Sequence, residues 1–151
     1  MDWVLINAAV FSRLITLELR DVCAMEYTER LRRLYYPDAC AIIICFGIDN
    51  PASLSHVAEI QVPEIRAVTR EMRPIVLVGC KLDVRTDPQE LEKMRRRGIT
   101  EPVSTNQGRE MARKIGAAVY LECSAKTGEG VEEVFHQAAR LTLLANDAIP
   151  K

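Results

Sequence analysis

Two short segments hold the residue types best suited to chemistry. Cys80-Lys81-Leu82-Asp83 follows the apolar run Ile75-Val76-Leu77-Val78-Gly79, and Cys123-Ser124-Ala125-Lys126 follows Val119-Tyr120-Leu121. A carboxylate at a strand end, such as Asp83, accepts two hydrogen bonds from a planar pair of donors. The N1 and N2 groups of guanine are such a pair, and adenine cannot supply it. Binding a nucleotide's phosphates calls for a different device, the G-x-x-x-x-G-K-[ST] loop, whose backbone N–H groups cradle the phosphates while its hydroxyl reaches Mg²⁺. The 151 residues contain no such stretch. The chemistry on offer is recognition of a ring edge without an evident grip on a charged tail.

Such residues act only if strands and helices carry them to one place. Ala41-Ile42-Ile43-Ile44-Cys45-Phe46 and Ile75-Val76-Leu77-Val78-Gly79 are short, continuous and rich in β-branched residues, the pattern of strands covered on both faces of a parallel sheet. Val119-Tyr120-Leu121 is a third. Cys80 to Asp83 therefore falls at a carboxyl strand end, the edge where open α/β sheets bind ligands. Between the strands lie helical signals. Asn50-Pro51 opens a stretch with Leu54, Val57, Ala58, Ile65 and Val68 at helical spacing, with Pro63 expected to kink it. Asp87-Pro88 begins a charged helix through Arg97 that Gly98 stops, and Ser104-x-x-Gln107 is a capping box for a helix through Ile115. Val131, Val134, Phe135, Ala138 and Leu141 give a closing amphipathic helix. Near the start, Val4-Leu5-Ile6 and Leu14 to Leu19 suggest a hairpin turning around Phe11-Ser12-Arg13, although no Gly, Asn or Asp marks the turn. Glu26 to Tyr35 is charged and compatible with a helix ending before Pro37. Alternation of strands and helices argues for an α/β fold, a mostly parallel sheet with helices on both faces and right-handed crossovers.

Composition narrows the function classes. The length fits a single domain spanning residues 1–151, and 48% apolar content fits a globular core. Twenty basic against twenty-one acidic side chains leave a formal charge of −1, so no overall field favours nucleic acid or an acidic membrane surface. Cys23, Cys40, Cys45, Cys80 and Cys123 are an odd number without metal-ligand spacing, and three lie in or beside apolar runs where a thiol packs as a small hydrophobe. That usage suits a reducing cytoplasmic compartment. No apolar run approaches a membrane span, Met1-Asp2-Trp3 has no leader signature, and Ala148-Ile149-Pro150-Lys151 has no lipid-anchor cysteine or polybasic run. His56 and His136 lack metal-ligand spacing. The basic stretches Arg30-Arg32-Arg33 and Arg95-Arg96-Arg97 have acidic neighbours and suit solvated helix faces. Tyr27, Tyr35 and Tyr36 suit either core packing or partner contacts.

From about residue 14 to residue 144 the order of these pieces resembles a Rho-type small GTPase of the Ras superfamily. Asp21-Val22-Cys23-Ala24-Met25-Glu26, followed by Arg30-Leu31-Arg32, resembles that family's Asp-Thr-Ala-Gly-Gln-Glu segment and the switch helix after it. Pro51-Ala52-Ser53 with Val62-Pro63-Glu64-Ile65-Arg66 is similar to its third helix, and Asp87 to Arg97 sits where Rho proteins carry an extra helix. The family's first strand, phosphate loop, first helix and first switch have no counterpart, so the chain is expected to start around the second strand, its sheet lacking the first. That strand is central in the family. Its loss is expected to leave edges at Leu14–Leu19 and Ala41–Phe46, which either pair directly or leave the chain poorly stable.

The resemblance implies GTP or GDP as ligand, with Mg²⁺, and assigns roles by position. Asp83 reads guanine, Lys81 lies along base and ribose, Ser124 and Ala125 support Asp83 and offer an N–H to the base carbonyl, and Lys126 packs from the other side. Cys80 stands where the family has Asn or Thr, and a thiol ties neighbouring loops together less well. Asp21 corresponds to the aspartate that holds Mg²⁺ through water. Ala24 replaces a glycine whose N–H approaches the terminal phosphate, and Met25 replaces the glutamine that orients the attacking water, which a thioether cannot do. Three readings are open: a Rho-like GTPase whose beginning lies upstream, a pseudo-GTPase that binds Rho regulators or effectors, and a fragment that does not fold alone.

Overall fold

The computed structural model describes residues 3–22, 29–69 and 73–147. Cys23, Ala24, Met25 and Tyr27 lie outside the described residues. A parallel sheet of three strands, in the order β3-β4-β5, forms the centre: β3 (Ile42–Gly47), β4 (Ile75–Cys80) and β5 (Val119–Glu122). Its strands are the apolar runs expected from the sequence, and the central β4 is buried at Ile75, Val76, Leu77, Val78 and Gly79. Residues alternate between two faces. One carries Ile42, Ile44, Phe46, Ile75 and Leu77 into a core with Leu54, Val57, Val62, Ile65, Ala112 and Ile115 from the helices. On the other, Val76, Val78 and Cys123 meet Val134 and Ala138 of the last helix. Helices thus cover both faces, as the α/β reading requires.

Helices begin and end where their local chemistry says they should. The charged stretch before Pro37 forms α1 (Glu29–Tyr35). Asp87 caps α4 (Pro88–Arg96) by accepting from the Gln89 and Glu90 N–H groups. Ser104 and Gln107 form the reciprocal capping box of α5 (Thr105–Ile115), which Gly116 ends in the left-handed region. The final helix, α6, covers Val131–Asp147. The stretch after Asn50 divides into α2 (Pro51–His56), one π-helical segment (Val57–Gln61) and α3 (Val62–Val68). The wider π turn lies immediately before Pro63, where the proline lacks the N–H that regular α-helix would use. The expected disturbance is therefore a bulge upstream of the ring.

The hairpin forms as β1 (Trp3–Val10) paired antiparallel with β2 (Arg13–Arg20). Its turn uses two ordinary residues in the left-handed region, Phe11 at φ 50° and Ser12 at φ 61°, the pattern of a type I′ turn that Asn-Gly normally supplies. Packing compensates at the tip, where the Arg140 guanidinium of α6 lies 5.9 Å from the Phe11 ring centroid. Ser12→Gly is expected to stabilise the protein by about 0.5–1 kcal/mol, because strain of about 1–2 kcal/mol is relieved against a smaller entropic loss. A thermal melt with a lower midpoint for the glycine variant contradicts this.

Of the two alternatives for the strand edges, one falls away here. Among the described residues Leu14–Leu19 does not pair directly with Ala41–Phe46: β1 and β2 make their own sheet, and β3 pairs with β4. The hairpin instead packs against α6 through β1. Its own hydrogen bonds satisfy one edge of β2, and α6 supplies the apolar contact that β3 does not.

Candidate functional site at the carboxyl ends of the strands

Strand β4 delivers Cys80 to the sheet edge, and Lys81 then turns the chain with φ 63° and ψ 43° into a short 3₁₀ segment, Leu82–Arg85. This left-handed residue is what swings Asp83 sideways towards the segment after β5. There the Ser124 hydroxyl, on a fully buried residue, donates to Asp83 Oδ1 at 2.5 Å. A backbone bond from Leu82 N–H to the Cys123 carbonyl, 3.0 Å, joins the same two loops. Ser124 also accepts from the Thr127 N–H at 3.2 Å, and its carbonyl accepts from Gly128 N–H at 2.8 Å, so the loop that carries Ala125 and Lys126 is closed on itself. Among the described residues nothing occupies Asp83 Oδ2. The half-exposed carboxylate has one oxygen fixed and one available.

The two lysines are engaged elsewhere. Lys81 Nζ donates to Asp49 Oδ2 at 3.0 Å, and Arg97, just past α4, donates to the same oxygen at 3.1 Å. Asp49 is buried; burial works to raise its pKa, but the Lys81 and Arg97 donors prevail and hold the carboxyl below its usual range. Its other oxygen, Oδ1, is buried without a partner among the described residues. Gly47 makes room for this arrangement, since a Cβ there would lie 2.5 Å from Asp49 Oδ1. Lys126 Nζ donates to Asp87 Oδ2 at 3.0 Å and lies 4.0 Å from Glu90, placing it over the start of α4.

Below these loops Arg85 forms the firmest polar tie. Its guanidinium makes two bonds to Glu122, 2.7 and 2.8 Å, and two to the Val103 carbonyl, 2.7 and 3.1 Å. Tyr120 adds a 2.7 Å bond to Glu122. Burial works to raise the Glu122 pKa, and the Arg85 and Tyr120 donors bring it below the ordinary carboxylate value. Neither Asp49 nor this network is visible as a motif. What marks them in the sequence is only an acidic residue at the end of a strand, Glu122, or two positions beyond one, Asp49.

Asp21 is exposed and follows β2 directly. Its charge works through space to raise the pKa of the Cys45 thiol on β3. Among the described residues no group of three His, Cys, Asp or Glu side chains is arranged to hold a metal ion. The thiols depart from the expected packing: Cys123 is buried, but Cys45 is exposed and Cys80 only half-buried. Arg32 departs too. It is a buried ion pair with Glu64 rather than part of a solvated face.

A model described as the Ras family matches residues 2–144. The chain belongs to the Ras family. It is 48% identical over 137 residues to the GTP-binding protein RHO1 of Candida albicans, covering 91% of this chain and 68% of that protein. Against RHO1 of Saccharomyces cerevisiae it is 46% identical over 138 residues, 91% of this chain and 65% of the relative. The human Rho-related GTP-binding protein RhoD is 38% identical over 139 residues, 92% and 65% of the respective chains. These relatives place the Ras-family chain with the small GTPases of Rho type, and the three-stranded parallel sheet between helices is the corresponding fold. Among the described residues no helix is long and apolar enough to cross a membrane.

Proposed function

We propose that this chain recognises the guanine ring through Asp83 and holds nucleotide phosphates and Mg²⁺ weakly, so that hydrolysis is impaired. The observation that supports the reading is the Ser124 to Asp83 hydrogen bond, which fixes the carboxylate by one oxygen and leaves the other for the ring donors. The residues present suit the base end of a guanine nucleotide: Asp83 for the ring edge, the Ala125 N–H for the base carbonyl, and the stems of Lys81 and Lys126 for its faces. Both lysines must first leave carboxylates, Asp49 for one and Asp87 for the other, which subtracts from their contribution. Cys80 adds a weaker tie than the amide or hydroxyl of the family pattern.

At the phosphate end the fit is poor. A bound Mg²⁺ would supply charge neutralisation, but Asp21 alone is a single exposed carboxylate, and a hard cation of this kind wants near-octahedral oxygen ligation. Ala24 and Met25 occupy the positions that would orient phosphate and water. The decisive comparison is an NMR titration of the 151-residue protein with GMP and AMP. Discrimination in favour of GMP by about tenfold or more is expected from one charge-assisted pair, and Asp83→Ala should abolish it while leaving the fold's dispersion intact. Equal affinity of the unaltered protein for the two mononucleotides contradicts the reading.

A second reading rests on a separate observation. Leu31 and Leu34 of α1 are 59% and 67% exposed, and Ile60 in the π segment is 50% exposed. Together with the α1 to α3 contact, these residues favour a protein-binding face on the switch-like helix, serving Rho regulators or effectors whether or not nucleotide is bound. Capture of such a partner that is unchanged by added GTP and lost in Leu31→Glu supports this module; dependence on GTP excludes it.

A further inference from the structure

The basic run that ends α4 leads directly to an exposed hydroxyl. Arg95-Arg96-Arg97-Gly98-Ile99-Thr100 puts arginine at the fifth, fourth and third positions before Thr100, and no other serine or threonine in the sequence has arginine at both the third and the fifth. Thr16 and Thr69 have it at the third alone. Their hydroxyls are engaged in the fold: Thr16 Oγ1 donates to Asn7 Oδ1 across the hairpin, and Thr69 Oγ1 donates to the Ile65 carbonyl at the end of α3, both at 2.9 Å.

The fold presents Thr100 differently. Gly98, at φ 79°, ends α4 with its N–H on the Arg95 carbonyl at 2.9 Å, and the Ile99 N–H follows on the Met94 carbonyl at 3.1 Å. The next backbone tie is from Val103 N–H to the Ile48 carbonyl, 2.9 Å. Between these anchors Thr100 and Glu101 are exposed, outside helix and strand, and among the described residues neither the Thr100 backbone nor its hydroxyl has a hydrogen-bond partner. Drawing this loop out into an extended path therefore breaks no bond at Thr100. The arginines are equally accessible. Arg95 and Arg96 complete the last turn of α4, where helices fray. The Arg95 guanidinium has no partner among the described residues, Arg96 makes only a surface pair with Glu92, and Arg97 reaches Asp49 with half its side chain still in solvent.

We propose that Thr100 is a phosphorylation site for a basophilic serine/threonine kinase, one whose peptide groove carries carboxylates for arginines at the third and fifth positions before the acceptor. Charge patterns of this kind let kinases choose among exposed hydroxyls. The Thr100 hydroxyl oxygen attacks the γ-phosphorus of ATP held by the kinase. The bond from that phosphorus to the β,γ-bridging oxygen breaks, ADP leaves, and the hydroxyl proton passes to the kinase's catalytic carboxylate. The product adds a charge of about −1.5 to −2 at the end of the basic run, on the rim of a shallow cleft of about 330 Å³ that Gly98 and Thr100 share with Asn50, Pro51 and Ala52. No residue of the guanine-reading loops takes part, so the site is independent of nucleotide binding.

The test incubates the folded 151-residue protein with MgATP and one of two purified kinases, the first selecting arginine at those two positions and the second selecting proline directly after the acceptor. Mass spectrometry then follows each phosphopeptide over time. With the first kinase Thr100 is expected to be modified about tenfold faster than Thr16 or Thr69, or more, and with the second it should stay at background. Arg95→Ala should slow Thr100 about tenfold, the loss of one close charge pair with the kinase, without moving the melting midpoint. Arg95→Lys, which keeps the charge, should recover most of the rate. The proposal is overturned by a Thr100 that takes no phosphate, by one modified no faster than Thr16 and Thr69, by a rate that Arg95→Ala leaves unchanged, or by equal modification with the proline-selecting kinase.

Discussion

Glu64→Ala is expected to destabilise the protein by about 3–5 kcal/mol, the usual cost of breaking a buried ion pair by removing one partner. Glu64 on α3 and Arg32 on α1 have side chains 7% and 9% exposed. Arg32 approaches with two bonds, Nε to Oε1 at 3.0 Å and Nη2 to Oε2 at 2.8 Å, and the Tyr36 hydroxyl donates to Oε1 at 2.9 Å. Deleting the carboxylate removes two charge-assisted bonds from the buried Arg32 guanidinium and takes the acceptor from the Tyr36 hydroxyl. Burial and the Glu64 bond push Tyr36 up to about 12, so it is a neutral donor at every working pH. A urea denaturation midpoint that falls with unchanged slope measures the loss; a change below about 1 kcal/mol contradicts it.

The same pair sets a pH dependence whose sign is fixed. The Arg32 hydrogen bond holds Glu64 below its ordinary carboxylate range, with burial opposing and Tyr36 assisting. A depressed folded pKa contributes stability that is complete above the unfolded value, about 4.3, and disappears as pH falls through the lower folded value. The difference between the unaltered protein and Glu64→Ala should therefore be largest near neutrality and shrink in acid. A difference that grows on acidification contradicts the assignment.

How much of this was legible in the sequence depends on the range of the interactions. Strands β3, β4 and β5 and the capped ends of α4 and α5 are local: β-branched runs, Asp87-Pro88 and Ser104-x-x-Gln107 announce them, and they form where expected within a residue or so. The meeting of Asp83 with Ser124 was implied by the family resemblance, which puts Ser124 in support of Asp83, and not by the strand pattern alone. The Arg32 pair was not legible, since its partner is 32 positions away and Arg30-Leu31-Arg32-Arg33 has the pattern of a solvated surface. Likewise the Lys81 and Arg97 bonds to Asp49 come from three elements that meet only in the folded chain. The hairpin turn escaped the usual signal because Phe11 and Ser12 take conformations normally left to Asn and Gly. The exposure of Cys45 depends on which strand lies beside β3, and that pairing is a property of the whole sheet.

Affinity for a guanine nucleotide depends on how binding energy is divided between ring and phosphates. One charge-assisted pair contributes about 1.5–3 kcal/mol, whereas millimolar affinity requires about 4 and nanomolar about 12. A ligand held mainly by its base must therefore bind near the millimolar range, whatever the length of its phosphate chain. The direct measurement is a pair of NMR titrations of the 151-residue protein, one with GMP and one with GTP in the presence of Mg²⁺. Dissociation constants in the millimolar range that agree within about threefold are the predicted result. Sub-micromolar, Mg²⁺-dependent binding of GTP would contradict it, because such affinity requires a grip on the phosphates that Asp83, Ser124 and Asp21 cannot provide.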